Sequence, residues 1–411
     1  MILGGALLLL LAIATPIANA ATDRAYLPRV LLWREADVGD LERFPARAVR
    51  AAPPAYVYQT APAATTTDPW LAMIGAERHG RQEELSLEEG LAATGTTAFL
   101  VIHGDRLVYE GYFNGDDRDS TQTSFSVAKS FVSALVGIAI AEGRIASVED
   151  PVTRYLPELR ERDPRFDRVT IRRLLSMSSG LRYQEGGMPW NSDDTRTYYA
   201  PDLRKLALEG SRVERDPGER FEYNNYHPLL LGLVLERATG QPVASYLEEK
   251  LWRPLGAEAD GSWNLDSDAS GFEKMESGIN GRAIDFAKLG SLYLHGGEWR
   301  GRQVVPRAWV EESTRVHAAV GPAAAATGYG YFWWVGEGGH FAARGNHGQL
   351  IFVAPDKGLV IVRFGTRFGR DGGNPDWIRT FEEMAARFEA PIVNHATAPV
   401  EPTGATPAPD G

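Results

Sequence analysis

The residues best equipped for chemistry are Ser126 and Lys129, in the string Thr123-Ser124-Phe125-Ser126-Val127-Ala128-Lys129-Ser130-Phe131. Apolar residues at Val127, Phe131, Leu135 and Ile138 give this stretch a helical period, so a separation of three puts hydroxyl and amine on one face. A serine hydroxyl is a weak nucleophile until a neighbouring base takes its proton. A lysine serves as that base where its surroundings favour the neutral amine. The start of a helix adds unpaired backbone N–H groups and a dipole suited to the negative charge that forms on an attacked carbonyl. Taken alone the pair is weak, because 19 serines and 6 lysines in 411 residues give about 0.3 Ser-x-x-Lys pairs by chance. A capping serine and a surface lysine would explain it equally well.

Two further strings give it context. Pro217-Gly218-Glu219-Arg220-Phe221-Glu222-Tyr223-Asn224-Asn225-Tyr226 is a turn just ahead of an amphipathic helix. There Tyr223 could relay a proton to a leaving group, and Asn225 could orient the lysine or the substrate; a packing aromatic and an Asn helix cap are the plainer account. Gly345-Asn346-His347-Gly348-Gln349 precedes a strand, and its glycines would let the backbone approach a ligand and turn an amide toward an oxyanion. A hairpin turn explains those glycines too, and His347 is either a substrate contact or a satisfied structural histidine. Tyr183 is a candidate for lining the pocket or for packing.

Composition removes other chemistries. There is no cysteine, so no disulfide, thiolate nucleophile or lipid-modified cysteine is available. The eight histidines are scattered without metal-ligand spacing, and no Gly-x-Ser-x-Gly, His-Glu-x-x-His, Gly-x-Gly-x-x-Gly or P-loop string occurs, so no cofactor or metal is expected. Acidic residues outnumber basic ones 54 to 43, and the basic residues between Arg160 and Arg173 are interleaved with acids, which argues against a nucleic-acid partner. The expected partner is a small-molecule ester or amide.

The elements that must position these residues follow from periodicity. Thr97 to Ile102 and Arg106 to Phe113 read as a hairpin, and residues from Phe125 to Val320 read as helical. Strands return at Gly328 to Val335, His340 to Arg344, Leu350 to Ala354 and Leu359 to Gly365, followed by a closing helix from Trp377 to Phe388. The fold class is α+β: an antiparallel sheet flanked by terminal helices, with a mostly helical insertion whose cleft meets the sheet edge. Residues 1–20 are apolar and end in Ala18-Asn19-Ala20, the pattern of a signal peptide or an uncleaved N-terminal anchor, which implies export to the periplasm or medium and a membrane tether through this segment only. Residues 21–70 read as an extended lead-in, 71–389 as the catalytic domain and 390–411 as a disordered tail.

In this order, the three strings resemble the serine β-lactamase and penicillin-binding-protein superfamily over residues 75–388. Thr170-Ile171-Arg172-Arg173-Leu174-Leu175-Ser176-Met177-Ser178-Ser179-Gly180-Leu181 and Trp252-Arg253-Pro254-Leu255-Gly256 are similar to its class C-like branch. The Gly-Asn-His-Gly-Gln string and the aromatic Tyr329-Gly330-Tyr331-Phe332-Trp333-Trp334 segment look most like 6-aminohexanoate-dimer hydrolases and related esterases. The resemblance implies Ser126 as nucleophile, Lys129 as its base, Tyr223 as proton relay, and an oxyanion hole from the amides of Ser126 and Asn346. One departure stands out: no lysine lies near residues 343–349 to stand for the Lys-Thr-Gly triad of β-lactamases. The triad aligns with Ala343-Arg344-Gly345 or with Asn346-His347-Gly348, and the first choice puts Asn346 at the oxyanion amide. The expectation is a serine hydrolase of ester or amide bonds, with a β-lactamase or D-Ala-D-Ala-type peptidase, or a non-catalytic sensor module, as alternatives.

Overall fold

The computed structural model describes residues 25–61, 76–78, 81–83, 86–188, 191–321, 326–369 and 377–389. The leader 1–20 and the tail 390–411 lie outside them. The elements that shape the site begin with α1 (Tyr26–Trp33), β1 (Ala46–Val49), β2 (Gln59–Thr60), β3 (Thr96–His103), β4 (Arg106–Tyr112) and β5 (Thr121–Thr123). The middle of the chain supplies α2 (Ala128–Ala141), α3 (Asp193–Tyr199), α4 (Tyr226–Thr239), β6 (Gly261–Asn264), β7 (Ile279–Arg282) and α5 (Ala283–Leu294). The last part adds β8 (Ala318–Ala319), β9 (Gly328–Tyr329), β10 (Trp334–Val335), β11 (Phe341–Gly345), β12 (Gln349–Ala354), β13 (Leu359–Gly365) and α6 (Trp377–Ala385).

Strands from both ends of the chain make one nine-stranded sheet, in the order β8-β9-β10-β11-β12-β13-β3-β4-β2. All its pairings are antiparallel except the short β2 against β4. The central strands β3, β12 and β13 are apolar at almost every position because helices cover both faces. Their alternation still sorts the side chains: Ala98, Leu100, Ile102, Val360 and Val362 join the larger core with α2 and α5, while Phe99, Val101, Leu359 and Ile361 join a smaller one with α6. The expected α+β architecture is what the chain adopts, and α2, buried on nearly every side from Ala128 to Ala139, runs through its middle.

Three local expectations are corrected. The middle is not wholly helical, because β6 and β7 join β1 and β5 in a second sheet of order β1-β6-β7-β5. Gly261-Ser-Trp-Asn and Ile279-Asn-Gly-Arg are too short and too polar to show a strand period. Residues 25–61 are not a bare extended lead-in, since they contain α1, a helical turn at Asp40–Arg43, β1 and β2, and bury Tyr26, Phe44, Val49 and Tyr58. The run from Gly328 to Val335 is two strands, broken by a turn at Phe332, whose φ is 59°. Among the described residues no helix is long and apolar enough to cross a membrane.

Candidate active site

Ser126 lies in a turn of 3₁₀ helix, Phe125–Val127, that continues directly into α2. The chain enters this turn through Phe125 at φ 41°, a left-handed conformation that a bulky residue adopts only where its surroundings impose it. Two contacts impose it here. Ser124 exchanges hydrogen bonds with Ile279 at the start of β7: its N–H donates to the Ile279 carbonyl (2.8 Å) and its Oγ accepts from the Ile279 N–H (3.0 Å). The end of β11 also presses in, so closely that a Cβ on Gly345 would sit 2.5 Å from the Ser124 carbonyl oxygen. Only glycine permits that approach of strand to nucleophile turn.

Lys129 is 1% exposed, and its Nζ donates to Ser126 Oγ at 2.7 Å and to the Glu276 carbonyl at 2.9 Å. The Tyr223 ring centroid lies 5.0 Å from the same Nζ, and the ring stacks on Trp334 at 5.8 Å. Hydroxyl, amine and phenol ring therefore meet in one place, from α2 and from the turn ahead of α4.

The Glu276 carbonyl is held by a loop with its own buried ion pair. Lys274 Nζ lies 2.9 Å from Glu276 Oε1, both side chains are 2% exposed, and the Lys274 ammonium sits over the Tyr198 and Phe44 rings at 4.0 and 4.3 Å. Burial pushes the Lys274 pKa down, and Glu276 acts against that shift. Trp263 Nε1 fastens the loop by donating to the Lys274 and Ser277 carbonyls, each at 3.0 Å. Glu276 Oε2 is buried with no hydrogen-bond partner.

Across the cleft, Asn346–Gly348 make a tight turn in which His347 has φ 57°. Arg363 on β13 lies wholly buried beneath it and donates to the His347 and Gly348 carbonyls at 3.1 and 2.7 Å. Its remaining N–H groups reach Thr96 Oγ1 and the Thr94 and Arg367 carbonyls at 3.0 to 3.1 Å, and Trp377 covers it at 4.2 Å. Burial lowers its pKa to about 9; at neutral pH the guanidinium stays charged, and those carbonyls must solvate it.

A cavity of about 840 Å³ opens over this arrangement, with Ser126, Tyr183, Tyr223, Asn225, Asn346 and His347 in its wall. Lys129 lies behind Ser126. Asn225 makes no hydrogen bond to the lysine. Its Nδ2 donates to the Tyr183 hydroxyl at 2.9 Å and its Oδ1 is buried without a partner, so it is the Glu276 carbonyl that orients the amine. Burial, reinforced by Asp194, holds the Tyr183 pKa well above the phenol range. His347 Nε2 hydrogen-bonds the Ala36 carbonyl at 2.9 Å.

Sequence reasoning gave no role to Glu276, Arg363 or His227. His227, on α4, is fully buried with Nε2 2.5 Å from Ser179 Oγ. Burial, then the charge on Lys129, holds its pKa down to about 3, so it is a neutral neighbour of the amine. The arrangement sets a hydroxyl against a buried amine, with the Tyr223 ring and the Asn346 turn in the wall of the same cavity, which suits activation of the hydroxyl.

A family model described as Beta-lactamase matches residues 86–384. The 6-aminohexanoate-dimer hydrolase of Paenarthrobacter ureafaciens is 31% identical over 300 residues, covering 67% of this chain and 74% of that one. Esterase EstB of Burkholderia gladioli is 34% identical over 182 residues, 39% of this chain and 45% of its own. The solved structure of a candidate 6-aminohexanoate-dimer hydrolase from Bacillus anthracis superposes with TM-score 0.71 at 25% identity, covering 84% of this chain and 90% of that one.

Proposed function

Since the chain belongs to the beta-lactamase family and is a serine hydrolase, we propose that it cleaves ester or amide bonds through an acyl-enzyme on Ser126, in the manner of the 6-aminohexanoate-dimer hydrolases and esterases it is similar to. The observation that carries this reading is the 2.7 Å hydrogen bond from Lys129 to Ser126 at the floor of the crevice. As Ser126 Oγ attacks the carbonyl carbon, Lys129, reacting as the free amine, receives its proton and the oxyanion is held by the backbone amides of Ser126 and Asn346. The tetrahedral intermediate collapses, and the alcohol or amine leaves with a proton delivered through Tyr223. Water, deprotonated by the same amine, then attacks the acyl carbon and restores the Ser126 hydroxyl.

The residue aligned with the β-lactamase triad lysine supports an ester or simple amide over a penicillin-type substrate. With the triad on residues 343–345 that position is Ala343, which has no charge to meet a substrate carboxylate, and Arg344 at the threonine position has its guanidinium packed over Trp334 at 4.9 Å. The apolar leader supports export to the periplasm or medium.

The test is a substrate panel on wild type and Ser126→Ala: short p-nitrophenyl esters, the linear aminohexanoate dimer, nitrocefin and a D-Ala-D-Ala peptide. Ester or dimer hydrolysis that vanishes in Ser126→Ala is expected, together with labelling of Ser126 by a fluorophosphonate. Undiminished turnover in Ser126→Ala would remove the assignment. Lys129→Ala should lose about 10³-fold or more in kcat. Nitrocefin or D-alanine release as the dominant activity would move the enzyme to the cell-wall-directed branch, and failure of Ser126 to react with any acylating probe would favour a non-catalytic sensor.

A further inference from the structure

One wall of the crevice comes from outside the stretch matched by the family model. Val30, Arg34, Glu35 and Ala36 line the cavity, whereas the match begins at residue 86. The segment that carries them is fastened to both banks. On the helical bank, Arg29 Nη1 donates to the Tyr199 carbonyl (3.2 Å), the Tyr199 hydroxyl donates to the Arg34 carbonyl (2.9 Å) and the Tyr198 hydroxyl donates to Asp40 Oδ2 (2.9 Å). On the sheet bank, His347 Nε2 donates to the Ala36 carbonyl, one residue from Asn346. Trp33 packs edge-on against Phe44 at 5.0 Å and Tyr199 at 6.1 Å between these anchors.

Local backbone geometry explains how the segment turns along the cleft. α1 ends at Arg34 with φ 60° and ψ −121°, a conformation that costs energy for a non-glycine residue and persists because the anchors hold it. That break leaves Val30 and Ala36 on the cavity wall and exposes Arg34 and Glu35 at its lip.

We propose that residues 26–44 form a strap that closes one end of the Ser126 crevice and sets the length of the substrate group admitted there, with Val30 as the gauge and Ala36 beside it. Val30 and Ala36 are the apolar two of the four residues the segment gives to the wall, Arg34 and Glu35 being exposed, so the group admitted against them is a short apolar chain. Methylenes within the cavity gain burial, and those beyond the wall stay in water and gain nothing. The proposal rests on the hydrolase reading above, and it assigns specificity to a part of the chain remote in sequence from the nucleophile.

The test is kcat/KM for p-nitrophenyl acetate, butyrate, octanoate and dodecanoate with wild type, Val30→Ala and Val30→Trp. Wild type should reach a plateau or fall as the chain lengthens. Val30→Ala should raise the octanoate-to-acetate ratio about 3-fold or more, and Val30→Trp should lower it about 10-fold. Ala36→Leu, checked for folding by its melting temperature, should act in the same direction as Val30→Trp and secures the result if either Val30 variant is unstable. An octanoate-to-acetate ratio unchanged within twofold in every folded variant would overturn the strap while leaving the hydrolase intact. A wild type that cleaves none of the esters and is not labelled at Ser126 would instead overturn the hydrolase reading and the strap's role with it.

Discussion

Two buried cations, Lys274 and Arg363, support opposite sides of the crevice by different means. Lys274 has a carboxylate partner, Glu276, and two aromatic rings over it; it steadies the loop whose carbonyl holds Lys129. Arg363 has no carboxylate partner among the described residues. Its planar fork is spread over four carbonyls and a hydroxyl, two of those carbonyls belonging to the turn that carries Asn346. A compact ammonium suits a point-to-point pair, whereas a guanidinium can fix the direction of two successive peptide groups at once. The lysine side is held by charge neutralisation and the Asn346 side by geometry.

That contrast breaks most visibly at Glu276. Glu276→Leu leaves Lys274 charged and dry, and should cost about 3–5 kcal/mol of stability in chemical denaturation. Adding Lys274→Met should return most of the loss, since a well-packed apolar pair replaces a buried ion pair at little cost; if the double variant is as unstable as the single one, the pair is not the reason for the loss. Arg363→Lys keeps the charge and discards the fork, so it should cost about 2–3 kcal/mol from unmet carbonyls and lower kcat about 10-fold or more with KM within twofold. A boronate transition-state analogue should lose affinity in parallel, and an unchanged kcat would confine Arg363 to a structural role.

Acid sharpens the comparison through the neutral neighbour of Lys129. The pKa of His227 is about 3 in the folded protein against an ordinary 6.5, so the unfolded chain binds the extra proton and stability falls as pH drops from about 6.5 toward 3. The slope from this residue is about 1.4 kcal/mol per pH unit. His227→Gln should flatten the stability curve over that interval and leave its slope above pH 7 unaltered. The smallest effect belongs to the aromatic cover of Lys274: Phe44→Leu should cost about 1 kcal/mol through the lost cation–π contact, measured as a shift in the denaturation midpoint.

The parts of this site legible in the sequence are those whose chemistry lies in a side chain at a local spacing. Ser126 and Lys129 are one helical turn apart, and the Tyr223 turn and the Gly345–Gln349 turn announce themselves by their residue types. The second partner of Lys129 was invisible because it is a backbone carbonyl, which any residue carries. Arg363 did leave a signal, a lone charge inside Leu359-Val-Ile-Val-Arg-Phe-Gly, in a strand otherwise apolar on both faces. In residues 21–70, prolines and alanines drew attention away from Tyr26, Val30 and Trp33, whose spacing of four and three is that of one helix face. The small second sheet escaped because its strands are four residues or fewer and only pair across long stretches of chain.

The pairing of β3 with β13 sets Leu359 beside His103, so more than half of the polypeptide separates two neighbours at the centre of the sheet. A ribosome must synthesise almost the whole chain before β3 has anything to dock on along that edge. Until then its apolar faces and unpaired amides stay open, which makes this a slow, late-closing topology. A product truncated ahead of Leu359 would carry the serine and the lysine and still lack the Asn346 turn's underlying clamp, an aggregation hazard with no working crevice.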